Sequence, residues 1–325
     1  MGAKVKVKRA LGSEEVLIAD AFKQFIAEKE ALGSSKDTLR NYKQSYKLFM
    51  EFNDFDEAEK LKEIDQSLFF RWATTMQQEG LSWNSVNHYL RDCRAFFYWC
   101  MAVDREYIKP AFKIEMVKGQ EEPLKMFSDE DIVTLLEKPR NVDSFSTWRS
   151  WAIVNWVLAT GNRAATMCAV KIGDVDFQKN EITLRHTKNK KAQVIPLDSS
   201  LATVLKEYIR IWRSKAEKDD YLFCQIGDIK LTTSAQRQAF KRYCDMREVK
   251  QSNIHGLRHN FAKLWLLNNG DLFRLQKILG HSTLDMTRRY VKLFAEDLKE
   301  DYDTFSPLSN LKKASSRTQK VQRNK

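Results

Sequence analysis

The sequence predicts a mainly helical, mixed α/β protein built from two domains. Helical periodicity dominates the first hundred residues, whereas the alternation typical of strands is confined to about 181–197. Pro110 and Pro123 bracket a stretch of weak periodicity, which marks a domain junction. With 325 residues and 43% hydrophobic content, the chain can bury two cores. We expect domains at 1–110 and 124–305, a linker at 111–123 and a basic tail at 306–325.

The N-terminal domain is predicted to contain four helices. One begins after the turn Gly33-Ser34-Ser35 and repeats apolar residues at helical spacing: Leu39, Tyr42, Tyr46 and Phe49. Another opens at Ser82 and places five residues on one face: Val86, Leu90, Cys93, Phe97 and Cys100. Weaker patterns over about 15–31 and 66–79 complete the set.

The opposite faces of the two strong helices carry polar and basic side chains. Arg40 and Lys43 lie on the first, and Asn87 and Arg91 on the second. Such a face can enter a DNA groove, yet a solvated helix looks the same. These four residues are therefore candidate DNA contacts, and Lys190 and Lys191 of the C-terminal domain are two more.

The C-terminal domain is predicted to mix helices with a small antiparallel sheet. Ser128 begins a capping box for a helix to about Glu137, and a helix over about 148–160 ends at Gly161. A hairpin follows, in which Ile182, Leu184 and His186 alternate and Val194-Ile195-Pro196 forms the return strand. Helices resume at about 199 and dominate to about 303.

The net charge of +12 indicates a polyanionic partner. Residues 10–122 sum to −5 and residues 123–305 to +7, so the C-terminal domain is the expected place for phosphate chemistry. The most apolar run, 151–159, is far shorter than the roughly 20 residues of a membrane span. No signal peptide is evident, and no membrane association is expected.

The cysteines indicate a reducing compartment. All five are scattered through apolar helical patterns with no C-x-x-C pair, which is typical of reduced core thiols in a cytoplasmic protein. His255 and His259 stand one helical turn apart, but no Glu follows His255, so neither a metal nor another cofactor is expected.

The last third of the chain concentrates candidate catalytic groups. His255-Gly256-Leu257-Arg258-His259 is followed by Leu279-Gly280-His281 and then by Tyr290, with Arg163 and Lys188 upstream. Cationic donors, imidazoles and a phenol can hold a phosphodiester while a tyrosine attacks it. Singly, each has an ordinary explanation as a surface or packing residue. Their order and spacing favour a DNA strand-exchange enzyme.

Each group has a chemical role in that hypothesis. Arg163 and Arg258 would neutralise charge on the phosphate, because a guanidinium donates two hydrogen bonds at once. Tyr290 is a poor nucleophile at neutral pH, since a phenol has a pKa of about 10. Either the same cations stabilise its developing phenolate or an imidazole accepts its proton, and His255 is the favoured imidazole. His281 would hydrogen-bond the phosphate. Lys188, preferred over Lys190 and Lys191, would protonate the leaving 5′-oxygen.

In these motifs the chain resembles the tyrosine recombinases, or phage-type integrases. The matching stretches are Thr160-Gly161-Asn162-Arg163, Thr187 to Lys191 running into Val194 to Leu197, the His255 and His281 motifs, and Thr287-Arg288-Arg289-Tyr290. Ser35 to Phe52 is a less specific match to the core-binding helices. By resemblance, Arg163, Lys188, His255, Arg258 and His281 activate the phosphate, Tyr290 forms the covalent bond, and the domains make a C-shaped DNA clamp.

Two positions depart from the family pattern. Thr166 stands where an acidic residue is common three positions after the first arginine, so Arg163 must be oriented differently. Lys292 stands where His is common two positions after the nucleophile. Neither change removes a group that the chemistry requires.

The resemblance implies a compact two-domain, site-specific recombinase that needs neither metal nor ATP. Integration or excision of a mobile element is the expected role, with resolution or inversion as the alternative. Expected partners are double-stranded recombination sites, three further copies in a tetramer joined through Phe294 to Leu308, and an accessory DNA-bending or directionality protein. The expected location is the cytoplasm of a prokaryote, at the nucleoid. A type IB topoisomerase, a non-enzymatic DNA-binding protein and a helical scaffold are the rivals.

Overall fold

The computed structural model describes residues 16–120, 123–140, 143–185, 192–281, 283–284, 286–288 and 290. The chain divides into two compact units between Glu122 and Pro123, called unit 1 and unit 2 below. The domain bounds 1–110 and 124–305 stay predictions. The tail 306–325 and the segment 294–308 lie outside the described residues.

Unit 1 is helical where it is described, as predicted. Its helices are α1 (Ile18–Ala31), α2 (Lys36–Phe52), α3 (Gln66–Gln78) and α4 (Trp83–Cys100), with a 3-10 turn at Leu61–Glu63. Ser35, Asp65 and Ser82 begin α2, α3 and α4 by accepting hydrogen bonds from N–H groups of the first turn. The two caps predicted from the sequence, Ser35 and Ser82, are confirmed.

The core of unit 1 is rich in aromatic rings. Phe49 of α2 stacks on Phe69 of α3 at 4.8 Å between centroids and meets Phe97 of α4 edge-on at 5.2 Å. Every residue of the predicted apolar face of α4 is buried. Such ring pairs contribute beyond the area they bury, about 0.5–1.5 kcal/mol each.

Part of the predicted linker is bound to α4. The Asn87 side chain donates to the Val117 carbonyl and accepts from the Val117 N–H, both at 2.8 Å. Trp83 Nε1 donates to the carbonyl of Gln120 at 2.9 Å. Gly119 lies against the Trp83 ring so closely that a Cβ there would meet the ring at 2.2 Å. Residues 117–120 therefore pack with unit 1.

Unit 2 surrounds a buried central helix. Its described helices are α5 (Asp129–Leu136), α6 (Phe145–Thr160), α7 (Ala164–Met167), α8 (Ser199–Trp212), α9 (Thr233–Met246), α10 (Ile254–Leu267) and α11 (Leu272–Leu279). α6 packs against α5, α8, α9 and α10. Most of its residues are buried and apolar, as expected for a helix that neighbours cover on several sides. The Ser128 capping box and the end of α6 at Gly161 are as predicted.

The sheet of unit 2 is small and antiparallel, as predicted, in the order β1-β2-β3. Its strands are β1 (Val175–Asp176), β2 (Glu181–Leu184) and β3 (Gln193–Pro196). Ile182 pairs with Ile195, and both are buried. β1 was not predicted, because two residues are too few to show alternation. The fold class is thus confirmed, and no helix among the described residues is long and apolar enough to cross a bilayer.

Candidate active site

Two arginines converge on the C-terminal end of α11. Arg258 of α10 donates through Nη1 to the Gly161 carbonyl at 2.6 Å and through Nη2 to the Leu279 carbonyl at 3.1 Å. Arg163 donates through Nη1 to the carbonyls of Leu279 and Gly280 at 3.4 and 3.5 Å. The last carbonyls of a helix lack intrahelical partners and carry partial negative charge, so they suit guanidinium groups.

This contact explains how Arg163 is oriented without the acidic residue common in the family. Thr166, which stands at that position, is buried in α7. The carbonyls of α11 hold the guanidinium instead. Because these carbonyl oxygens carry only partial negative charge, most of the positive charge of Arg163 is left uncompensated.

Burial disfavours the charged form of both arginines. Arg258 is only 2% exposed, and burial together with the charge of Arg163 lowers its pKa to about 10. Burial also lowers the pKa of Arg163. Among the described residues, no ion pair joins either guanidinium to a carboxylate. A buried cation without a counter-ion is costly, so the pair is suited to bind an anion.

Gly161 allows this approach because no larger residue fits there. Its φ of +60° lies in the left-handed region, where it ends α6. A Cβ at this position would lie 2.4 Å from the Phe261 ring and 2.7 Å from Leu279. The glycine therefore lets α6 end against α10 and α11, with its carbonyl directed to Arg258.

His281 lies between the Arg258 guanidinium and Thr287. Its Nε2 is 2.8 Å from Arg258 Nη2, and its Nδ1 is 2.9 Å from Thr287 Oγ1. Because a guanidinium can only donate, Nε2 accepts and Nδ1 carries the proton. Burial and the charges of Arg258 and Arg163 lower the pKa of His281 to about 4. The imidazole is neutral at pH 7 in this state.

Tyr290 lies in a small apolar cluster beside the arginines. It is 4% exposed and packs with Phe261, Ala262, Leu275 and Leu279. Its hydroxyl is 2.8 Å from Nδ1 of His259. Ionised Tyr290 would raise the pKa values of both Arg163 and Arg258, which places the phenol within electrostatic reach of the guanidinium pair.

His255 lies at the first turn of α10, one turn before His259. Its ring meets that of His259 edge-on at 4.8 Å between centroids. Partial burial and the two arginine charges lower its pKa. The residue predicted to assist Tyr290 therefore adjoins the histidine that contacts the hydroxyl.

The predicted site residues thus fall into three groups. Arg163, Arg258 and His281 meet at the end of α11, and Tyr290 and His255 adjoin them through His259. Lys188, Lys190 and Lys191 lie outside the described residues.

Three of the four candidate DNA contacts of unit 1 are exposed and one is buried. Arg40, Lys43 and Arg91 are exposed, and Arg40 pairs with Asp37 at 3.0 Å. Asn87 departs from its prediction. It is only 6% exposed and its amide is bonded to Val117, so it belongs to the packing of unit 1 and not to the exposed face.

Three side chains of this region had no role assigned from the sequence: Gln193, His259 and Thr287. Gln193 of β3 donates through Nε2 to the Lys277 carbonyl at 2.6 Å and so ties the hairpin to the end of α11. His259 and Thr287 belong to the matching motifs, and their helical spacing from His255 and Tyr290 was the available signal. Gln193 gave none, because its contact joins residues 84 apart.

All five cysteines are buried free thiols. In the part of the chain that the structure describes, no group of three or more His, Cys, Asp or Glu residues could hold a metal ion.

Both units match models of known protein families. Residues 125–297 match the phage integrase family, and residues 17–116 match the phage integrase SAM-like domain. Tyrosine recombinase XerC of Thermodesulfovibrio yellowstonii is 28% identical over 284 residues, 85% of this chain and 92% of the relative. Tyrosine recombinase XerA of Pyrococcus furiosus is 27% identical over 301 residues, 92% of this chain and 98% of the relative.

Solved structures share the fold. The Tn1549 transposon integrase in complex with transposon right-end DNA aligns with a TM-score of 0.68 at 18% identity, covering 85% of this chain and 94% of that one. XerH recombinase bound to palindromic difH substrate aligns with a TM-score of 0.66 at 20% identity, covering 88% and 84%.

The phage integrase match spans more than half of the chain, so this protein belongs to the phage integrase family, the tyrosine recombinases. It is a site-specific recombinase of the tyrosine class.

Proposed function

We propose that this recombinase integrates and excises a mobile element, with Tyr290 as its nucleophile. The Tyr290 oxygen bonds to the scissile phosphorus, and the bond from phosphorus to the 5′-oxygen breaks, which leaves a 3′-phosphotyrosyl link and a free 5′-hydroxyl. A 5′-hydroxyl of the partner duplex then attacks the link and releases the tyrosine. The covalent bond conserves the free energy of the phosphodiester, so the cycle requires no ATP.

The guanidinium pair carries this proposal. Arg163 and Arg258 are fixed by helix-end carbonyls, lie within electrostatic reach of Tyr290, and have no carboxylate partner among the described residues. A phosphate between them would receive donors where negative charge develops during attack. An anion there would also relieve the repulsion between the two cations.

The remaining site residues have roles that follow from their positions. His281, neutral with its proton on Nδ1, gains a proton or exchanges tautomers when a phosphate replaces Arg258 at Nε2, and it then donates to a phosphate oxygen. Lys188 protonates the 5′-oxygen, with Lys190 and Lys191 as neighbouring backbone contacts. His255 supports the histidine beside it.

DNA contacts outside the site would come from unit 1. Arg40 and Lys43 of α2 and Arg91 of α4 are exposed cations that suit phosphates or base edges. Four protomers would act on two duplexes in the cytoplasm, linked through Phe294 to Leu308 and aided by an accessory DNA-bending or directionality protein.

Resolution or inversion by the same chemistry is the second candidate. Its support is that the curated relatives are named Xer recombinases, whereas a transposon integrase is among the proteins that share the fold. The two roles differ in the DNA on which they act and not in the bond that forms.

Strand exchange between two duplexes tests the proposal. DNA flanking the gene in its native replicon would be placed on two differently labelled linear duplexes and incubated with the full chain. Joined products carrying both labels are expected, with Tyr290→Phe as the inactive control. Relaxation of a supercoiled plasmid without exchange would point to a topoisomerase, and binding without covalent chemistry would overturn the proposal.

Resolution is distinguished on a plasmid that carries two copies of one flanking site. Efficient recombination between identical sites favours resolution or inversion. Recombination that requires two different sites favours integration and excision.

A further inference from the structure

His259 contacts the atom that must react. Its Nδ1 is 2.8 Å from the Tyr290 hydroxyl, a normal hydrogen-bond distance, and the two ring centroids are 5.7 Å apart. His259 is partly buried and directly follows Arg258 in α10. The same helical turn thus presents the guanidinium to the site and an imidazole to the phenol.

The geometry points to His259 as the proton acceptor for Tyr290 during DNA cleavage. This inference rests on the proposed function and adds a catalytic residue to it. As the Tyr290 oxygen bonds to phosphorus, its proton moves to His259 Nδ1, and the bond to the 5′-oxygen breaks with a proton from a separate donor, proposed as Lys188. In rejoining, the attacking 5′-hydroxyl gives its proton to Lys188 as its bond to phosphorus forms, and His259 returns its proton to the phenolate as the phosphotyrosyl bond breaks.

A proton acceptor at this place would speed the attack. A phenol with a pKa of about 10 is almost entirely protonated at pH 7, and a positioned base contributes about 10²- to 10⁴-fold to such a step. Hydrogen-bond contact with the reacting hydroxyl is the first criterion for a base. His259 meets it in this structure.

Charged and titratable groups lie near the His259 ring. Among the described residues, the His255 ring lies edge-on against that of His259, Arg258 precedes His259 on α10, and His281 lies within electrostatic reach of it. The cationic arginines oppose protonation of imidazoles nearby, as the lowered pKa values of His255 and His281 record. An imidazole that carries its proton on Nε2 can accept the phenol proton at Nδ1.

The assignment of His255 changes accordingly. The His255 ring lies edge-on against that of His259. The charges of Arg258 and Arg163 both lower the pKa of His255. We therefore assign His255 the role of packing against His259, the proposed base. The two histidines are thereby separable by mutation.

The test is the rate of covalent adduct formation on a nicked suicide duplex that the intact protein cleaves. His259→Gln keeps a hydrogen-bonding side chain but cannot take up a proton, so cleavage at pH 7 should slow by about 10²-fold or more. The pH profile distinguishes chemistry from structure. The deficit of His259→Gln should shrink as the pH rises toward 10, because hydroxide then ionises the phenol without the imidazole.

A leaving-group substitution gives the matched control. A duplex with sulfur in place of the bridging 5′-oxygen needs no proton on its leaving group. It should restore cleavage by Lys188→Ala and leave His259→Gln slow. Circular dichroism and thermal unfolding would check that each variant is folded.

The outcomes separate this inference from the proposed function. No adduct from the intact protein would refute the function. An active intact protein with a His259→Gln rate that is unchanged, increased, or reduced by the same factor at every pH would overturn the role of His259. An increased rate would identify the hydrogen bond as a restraint on the tyrosine.

Discussion

Acid should destabilise unit 2 through His281. Burial and the charges of Arg258 and Arg163 lower the pKa of this imidazole from 6.5 to about 4. Between these values the unfolded chain binds a proton that the folded chain excludes. The free energy of unfolding should therefore fall as the pH falls from about 6.5 to about 4, and it should be independent of this group above that window.

The size of the effect follows from the same pKa difference. At about 1.36 kcal/mol per pH unit, the difference between 6.5 and about 4 corresponds to about 3 kcal/mol. The side chain is partly exposed, so solvent screening reduces this figure. We expect a loss of about 1–3 kcal/mol between pH 7 and pH 4.

Urea unfolding of the intact chain and His281→Asn at several pH values isolates the effect. Asn keeps an amide donor but does not titrate, so the difference between the two unfolding free energies cancels the other groups, including His255. His88→Asn, a partly exposed histidine of unit 1, is the matched control. A difference that is constant from pH 4 to 7, or that grows in favour of the intact chain on acidification, would refute the reasoning.

Three further predictions concern packing and orientation. Gly161→Ala should cost about 2–5 kcal/mol of stability in chemical denaturation, because it combines a left-handed φ with a Cβ only 2.4 Å from the Phe261 ring. Asn87→Ala should cost about 2 kcal/mol in the same assay, since it leaves both backbone groups of Val117 without their side-chain partner. Thr287→Val should slow adduct formation about 10-fold, because His281 loses the acceptor that fixes its ring.

Each of these variants has a control. Gly227→Ala shares a left-handed φ of +82° but has open space around it, so it should cost only the backbone strain, about 1–2 kcal/mol. Asn84→Ala and Thr283→Val are exposed and should have little effect. Equal losses in a variant and its control would contradict the contact assigned to the variant.

The fold was predictable where local signals were strong. Ser35, Ser82 and Ser128 cap helices as the sequence predicted, and Gly161 ends α6. These features depend on neighbours within a few residues. β1 escaped prediction because its two residues form a strand only through pairing with β2.

The sequence predicted candidate members of the site but not the contacts that join them. Motif spacing made Arg163, Arg258 and His281 candidates, and the structure brings them together, yet nothing local shows that the carbonyl of Leu279 receives both guanidinium groups. Asn87 was misplaced for the same reason. A polar residue on a helix face looks exposed in sequence until a distant segment, here Val117, packs over it.

The most direct test of the account is the location of the covalent bond to DNA. Trapping the full chain on a nicked suicide duplex, digesting the adduct and sequencing the nucleotide-bearing peptide by mass spectrometry would identify the linked residue. The account predicts a 3′-phosphate on Tyr290, and no adduct from Tyr290→Phe. Attachment to another residue, or an adduct that persists in Tyr290→Phe, would contradict it.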